Sequence, residues 1–225
     1  MAELVLVIGS TGSGKSYGIK SLDPKSTVVI NVNDSKRLSW KDSSKDYVLN
    51  RNFFNKEKPT EIISLLNTIK EKATEIKTVV IDDARYIMER EFLDKATETG
   101  YTKYTVLGKN FCEVMQTASR MRNDMVVFMN LHDEDVISDK TIVSKKVKLV
   151  GKLVEDHFNP LELVNVVLYT AIEKTKDGVK HIMYTHEGSS HKGIEVPSKS
   201  PEGMFKDDII PNDFGLVVKA IQEYY

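Results

Sequence analysis

Short apolar runs recur along this chain at intervals that suit buried β-strands. Each run is nearly unbroken by polar positions, which is typical of a strand covered on both faces, as in a parallel sheet. The predicted strands lie at 4–8, 27–32, 78–81, 125–129 and 163–169.

Stretches with helical spacing separate the predicted strands. Residues 61–73 and 110–121 each place apolar side chains at the i, i+3, i+4 spacing of one helix face, and Pro59 supplies a start signal for the first. The pattern is mixed over 84–95. Because strands and helices alternate, the sequence predicts an α/β fold with a three-layer, doubly wound, mostly parallel sheet.

The chain changes character after residue 168. The strand-like runs 169–174 and 179–184 flank an Asp177-Gly178 turn signal, which predicts a β-hairpin. A loop rich in Gly, Ser and Pro follows over 187–203, and Pro211-Asn212 opens a helix that continues to Tyr225. We therefore predict a single domain over 1–225, in which 171–225 form a hairpin, loop and helix extension.

Composition narrows the class of protein. The 225 residues are 40% apolar and 29% charged with a formal net charge of −1, which is typical of a globular protein with a sizeable core. The chain has neither an apolar run long enough to span a membrane nor a signal-peptide pattern at its start. Its one cysteine, Cys112, excludes an internal disulfide framework and a cysteine-based zinc site, so we expect a reducing cytoplasmic location.

The first predicted strand runs directly into the pattern G-x-x-x-x-G-K-[ST]. Glycines let such a loop turn its backbone N–H groups inward and form an anion site at the start of a helix. Lysine at the seventh position reaches the β- and γ-phosphates, and the following hydroxyl ligates Mg²⁺. The predicted nucleotide-binding residues are Gly9, Ser10, Thr11, Gly12, Ser13, Gly14, Lys15, Ser16 and Tyr17.

Carboxylates at the ends of two predicted strands are candidates for the metal and for catalysis. Asp82 follows the strand at 78–81 and is predicted to hold Mg²⁺ together with Ser16. Asp83 is placed to orient or deprotonate an attacking water, although a helix N-cap is an equal alternative for it. Asp34, after the second strand, is a rival for the general-base role.

Two further groups of polar residues are candidates for phosphate recognition. Asn130 and His132 follow the strand at 125–129, and strand carboxyl ends face the ligand crevice of a doubly wound sheet. They are predicted to sense the γ-phosphate or position water, with a structural histidine as the alternative. Lysines are also concentrated in one segment, which predicts a solvated loop, a cationic finger on a neighbour's nucleotide or a groove for nucleic acid. They include Lys145, Lys146, Lys148 and Lys152.

Several motifs together resemble the RecA-superfamily P-loop ATPases of the ASCE class, and most closely the phage AAA-domain ATPases of the Sak single-strand annealing type. The motifs are GSTGSGKS at 9–16, TVVIDDA at 78–84, GKNF at 108–111, VVFMNLHDED at 126–135, KSPEGMF at 199–205 and IPND at 210–213. The resemblance implies a RecA-like fold, Mg²⁺ and ATP as cofactors, and rings or filaments with ATP at subunit interfaces. It also implies action on single-stranded DNA in phage recombination or replication, in the cytoplasm of a bacterial host.

One position departs from that family pattern. RecA-like members often carry a catalytic glutamate after the second strand, where this chain has Asn33-Asp34. Either Asp34 or Asp83 substitutes, or hydrolysis is weak. Two alternatives therefore stay open: a nucleotide-gated assembly protein with little catalysis, and a small-molecule kinase. The kinase is disfavoured because no arginine for a phosphate-clamping lid follows Arg122.

Overall fold

A computed structural model describes residues 1–34, 36–100, 102–176 and 178–225 of the chain. The strands are β1 (Glu3–Gly9), β2 (Thr27–Asn31), β3 (Phe53–Asn55), β4 (Thr78–Asp82), β5 (Val126–Ser138), β6 (Thr141–Val147), β7 (Val166–Thr175), β8 (Gly178–Tyr184), β9 (Ser190–His191), β10 (Ile194–Glu195) and β11 (Ile209–Pro211). The α-helices are α1 (Ser43–Asp46), α2 (Pro59–Lys72), α3 (Tyr86–Asp94), α4 (Thr102–Ser119), α5 (Lys152–His157) and α6 (Phe214–Tyr224). Two 3-10 helices cover Ser16–Ser21 and Pro160–Leu163.

The main sheet has the strand order β11-β8-β7-β1-β5-β4-β2-β3. The strands from β7 to β3 in this order pair in parallel, while β8 and β11 are antiparallel additions at one edge. β5 therefore lies between β1 and β4 and brings its carboxyl end between theirs. The prediction of an α/β fold with a mostly parallel sheet is confirmed.

The sheet has a separate apolar core on each face. Alternate residues of β1 enter the two cores, with Leu6 on one side and Val7 on the other. Helices α2 and α4 cover the first face. The second face is covered by α6 and the 3-10 helix Ser16–Ser21, with the ring of Phe214 stacked 4.3 Å from that of Phe128. This three-layer arrangement explains why the strands of the central sheet read as continuous apolar runs.

The C-terminal segment contributes directly to the sheet and its cover. The predicted hairpin is formed by β7 and β8, and Asp177 of its turn signal lies outside the described residues. β11 then pairs with β8, and Asp213 caps α6 by accepting a hydrogen bond from the backbone N–H of Leu216 at 2.9 Å. The predicted loop 187–203 also contains the short strands β9 and β10.

Several elements differ from the sequence prediction. β7 begins at Val166 and not at residue 163, and Pro211 ends β11, so that α6 begins only at Phe214. The helix after the phosphate loop is a six-residue 3-10 helix, and α4 begins eight residues earlier than expected. β5 continues well past residue 129 and forms a second hairpin with β6. The lysine-rich segment predicted as a loop or finger is therefore largely a strand, because Glu134 and Asp135 stand opposite Lys146 and Lys145 and neutralise them across the pair.

None of the helices in the described ranges combines the length and the hydrophobicity that a membrane crossing needs.

Candidate functional site

The loop between β1 and the first 3-10 helix is shaped by glycines. Gly12 and Gly14 have φ angles of 80° and 103°, in the left-handed region that glycine adopts without strain. A Cβ atom on Gly14 would also lie 2.6 Å from His181 Nδ1 and 2.8 Å from Asn212 Nδ2. The side chain of Asn212 holds the loop by donating to the Gly14 carbonyl at 2.7 Å. The loop is thus seated on residues from the C-terminal part of the chain.

Lys15 lies inside this loop. Its Nζ donates to the carbonyl oxygens of Gly9 at 2.6 Å and Ser10 at 3.0 Å, and the residue is buried. Burial lowers the pKa of Lys15 to about 8, although the charges of Asp83, Asp82 and Asp133 act in the opposite direction. The ammonium group is held by carbonyl oxygens that phosphate oxygens could replace.

Asp82 ends β4 and is joined to β5 by a buried hydrogen bond. Asn130 Nδ2 donates to Asp82 Oδ1 at 2.7 Å. Burial raises the pKa of Asp82, as does the charge of Asp83, while hydrogen bonds from Asn130 and the Ser16 hydroxyl lower it. The strand order explains this contact, since β5 inserts between the strand that leads to Ser16 and the strand that ends in Asp82.

Asp83 is ion-paired and has an unusual backbone. Its φ of 56° lies in the left-handed region, which is uncommon for a residue with a side chain. The carboxylate accepts from Lys36 Nζ at 2.8 Å and lies 3.2 Å from His132 Nε2. Burial raises the pKa of Asp83, but the hydrogen bonds from His132 and Lys36 outweigh it and lower the pKa to about 2. Helix α3 begins at Tyr86 without a side-chain cap, so Asp83 is not its N-cap.

The side chains around the end of β4, from Ser16, Asp82 and Asn130, fit a hydrated Mg²⁺ ion. The Ser16 hydroxyl and the Asp82 carboxylate supply hard oxygen ligands, which Mg²⁺ prefers. Asn130 Oδ1 is buried and has no hydrogen-bond partner in the described part of the chain, so it is free to accept from a metal-bound water. No group of three or more His, Cys, Asp or Glu side chains in the described ranges is arranged to hold a metal.

Comparison with known families identifies the class of protein. A family model described as an AAA domain matches residues 2–193. The chain belongs to this AAA-domain family. It is therefore an AAA-type P-loop ATPase, a class that binds and hydrolyses nucleotides. A search of curated proteins found no match.

Several residues of this AAA-domain site, including Asn212, are absent from the predicted set of site residues. Lys36 reaches Asp83 from the loop after β2, and no motif marks it. Asp133 accepts hydrogen bonds from the Ser10 hydroxyl and the Tyr169 hydroxyl, both at 2.8 Å. The acidic run after His132 could have drawn attention to Asp133, but only the pairing of β5 with β1 shows that it faces the phosphate loop.

Other contacts to the phosphate-loop region of the AAA-domain site come from β7 and β8. The Ser13 hydroxyl is 2.7 Å from that of Thr170, and the ring of Tyr17 stacks on that of His181 at 4.9 Å. Thr11 and Gly12 are exposed at the loop apex.

Asp34 is not brought to the carboxylate pair. It is exposed and forms an ion pair with Arg90, at 3.6 Å, on the surface beyond β2. Arg90 also contacts Glu57 at 3.1 Å. The residue that the sequence offered as a rival general base is therefore engaged in a surface ion pair, whereas Asp83 lies in the site itself.

The predicted lysine finger is also engaged within the chain. Lys145 contacts Asp133 and Asp135, and Lys146 contacts Glu134 at 2.9 Å and Glu155 at 3.1 Å. Lys148 is half-buried and its backbone N–H donates to the His132 carbonyl at 2.8 Å, while Lys152 is exposed at the start of α5. The first two lysines thus form ion pairs within their own chain.

Proposed function

We propose that this protein binds Mg·ATP in the phosphate loop and hydrolyses it. The observation that supports the proposal is the meeting of Lys15, Ser16 and the Asp82–Asp83 pair at one edge of the sheet, with Asn130 and His132 between them. This combines a cation for the phosphates, oxygen ligands for a metal and a separate carboxylate for water.

We assign each residue a separate role in the transfer of the γ-phosphate to water. Lys15 exchanges its carbonyl partners for phosphate oxygens and stabilises their charge. Ser16 and Asp82 would hold Mg²⁺, which would supply positive charge to neutralise the phosphates. Asn130 fixes the orientation of Asp82 through its amide nitrogen, and its free Oδ1 accepts a hydrogen bond from water.

Asp83 is the residue that we assign to the attacking water. Its low pKa keeps it ionised at neutral pH, so it can accept a hydrogen bond from water and orient it. His132 lies beside it and in turn packs edge-on against the ring of Tyr86, 6.3 Å away. This packing restricts the imidazole and keeps it directed at Asp83.

The proposal is tested by separating binding from turnover. We expect Lys15→Ala to lose Mg·ATP binding in calorimetry, because the loop then lacks its cation. Asp83→Asn should keep binding but lose about 10²–10⁴-fold in single-turnover phosphate release, the range for a positioned acid or base. Asp34→Asn is the matched control and should hydrolyse ATP like the wild type. Equal turnover in Asp83→Asn and the wild type would overturn the assignment.

One observation favours a second candidate, a nucleotide-gated assembly protein with little catalysis. The pKa of about 2 makes Asp83 a weak proton acceptor as long as Lys36 and His132 engage it. ATP would then fix a conformation without being consumed quickly. Oligomer size that depends on ATP, with the ATP intact after hours, would identify this second function.

We further propose, from the family resemblance, that the protein acts on single-stranded DNA as a ring or filament in phage recombination or replication. Lys152 is an exposed cation that such a partner could contact, whereas Lys145 and Lys146 are engaged in ion pairs. ATP turnover should be compared with and without a single-stranded oligonucleotide, and binding should be followed across salt concentrations. Failure to bind DNA at low salt, where phosphate contacts are strongest, would exclude this role.

A further inference from the structure

The base of the β5–β6 hairpin carries a buried carboxylate that touches the phosphate loop. The side chain of Asp133 is only 4% exposed. Its Oδ2 accepts from Ser10 Oγ and from the Tyr169 hydroxyl, each at 2.8 Å, and lies 3.5 Å from Lys145 Nζ. Three separate elements, the phosphate loop, β7 and β6, therefore meet at one oxygen atom.

The negative charge of Asp133 is balanced by a positive charge of the same chain. A buried carboxylate is strongly destabilising unless it is paired and hydrogen-bonded. Lys145 provides the ion pair, and its side chain is itself only 19% exposed because it lies between Asp133 and the neighbouring Asp135. The adjacent Lys146 forms ion pairs with Glu134 and Glu155. Among the described residues, no ion pair joins Lys146 to Asp133.

A bound nucleotide would change the electrostatic balance around Asp133. The hydroxyl that Asp133 holds belongs to Ser10, the second residue of the phosphate loop, and the Ser10 carbonyl is one of the two groups that hold Lys15. A bound triphosphate brings several negative charges to this loop, beside a buried negative charge. The positive charge of Lys145, 3.5 Å from Asp133, offsets the charge of the carboxylate, and a carboxylate so compensated can hold the loop with less repulsion of an anionic ligand.

We propose that Asp133 and Lys145 form a charge-compensated clamp that positions the phosphate loop for nucleotide binding. Lys145 then acts within its own subunit as a positioning residue, and not as a finger on a neighbour's nucleotide. This inference rests on the proposed function, because it assumes that the loop binds a triphosphate.

The test uses Lys145→Met, Asp133→Asn, the double variant and Lys146→Met as the matched control from the same strand. Mg·ATP affinity is measured by calorimetry, and KM and kcat by phosphate release. We expect Lys145→Met to raise Kd and KM about tenfold with kcat nearly unchanged, because the loss is one of ground-state binding. Adding Asp133→Asn to Lys145→Met should recover most of the lost affinity, since the uncompensated charge is then gone.

The recovery in the double variant distinguishes compensation from a merely structural role. If the clamp only stabilised the fold, the second substitution would add to the damage and the melting temperature would fall without a selective change in KM. A Lys145→Met variant that binds Mg·ATP like Lys146→Met overturns the inference, and so does a double variant weaker than Lys145→Met. A wild-type protein that binds no Mg·ATP overturns the proposed function itself.

Discussion

Replacing Lys36 by methionine removes one of the two groups that hold Asp83 in its ionised form. The Lys36 ammonium lies 2.8 Å from Asp83, whose side chain is 3% exposed, while the lysine side chain is half exposed. Methionine keeps most of the length of the side chain and removes only its charge. The remaining contact of Asp83 is with His132.

The size of the effect follows from the pKa of Asp83. A shift from 3.8 in the unfolded chain to about 2 in the folded protein corresponds to about 2 kcal/mol of stability at neutral pH. A depressed acidic pKa stabilises the fold above the unfolded value, and this contribution is lost as the pH falls from about 4 to about 2. Since Lys36 shares the carboxylate with His132 and is half exposed to solvent, we assign it about 1 kcal/mol of that total.

The measurement is urea unfolding of Lys36→Met and the wild type at several pH values. The variant should be less stable by about 1 kcal/mol near pH 7. The difference should shrink as the pH falls below about 4 and vanish only below about pH 2, where Asp83 becomes protonated in both proteins. Lys45→Met is the control, because Lys45 pairs with Asp42 on an exposed surface and should change stability little. A difference between Lys36→Met and the wild type that does not vary with pH would refute the reasoning.

Three further predictions concern the loop and its surroundings. Gly18→Ala should lower the free energy of unfolding in urea by about 2 kcal/mol, because its Cβ would lie 2.4 Å from a ring carbon of the fully buried Phe214; unchanged stability would contradict the packing. ATP binding should take up about 0.7 proton at about pH 8.5, because Lys15 has a pKa of about 8 in the free protein and phosphate favours its charged form. Calorimetry in buffers of different ionisation enthalpy measures this uptake of protons. The uptake should disappear near pH 6.5, where Lys15 is already protonated before ATP binds. Equal uptake at both pH values would exclude Lys15 as its source. Asn130→Asp should destabilise the fold by about 3 kcal/mol at neutral pH in urea, because it sets a second carboxylate against the buried Asp82; a stable variant would show that the two side chains separate readily.

The parts of the fold that were predicted from sequence are those with a local signal. β1 and β4 are short apolar runs whose ends are marked by glycine or aspartate, and both were predicted with nearly their observed bounds. β6 was missed because its lysines suggested a solvated loop. That segment forms a strand because it pairs with the acidic end of β5. The first turns of α4 were missed as well, since its start is polar.

The candidate site divides in the same way. The phosphate loop is one contiguous motif, and Asp82 and Asp83 are adjacent residues at the end of a strand, so each local pattern alone predicts phosphate or metal chemistry. Lys36 and Asp133 were not predicted, because each reaches its partner across a long stretch of chain, 47 residues from Lys36 to Asp83 and 123 residues from Ser10 to Asp133. Both contacts exist only because parallel strands bring their carboxyl ends to one edge of the sheet.

The sequence by itself determined that this chain would form buried parallel strands and a loop able to receive phosphate, because those features depend on neighbouring residues. The tertiary structure decided where the two carboxylates lie, since Asp34 and Asp83 each follow a strand in the sequence but, of the two, only Asp83 lies beside His132 and Lys36. It also brought Lys145 beside Asp133 within the same chain. The physical reason is that charge compensation depends on distance and burial, which the strand order sets and the spacing of residues along the chain does not.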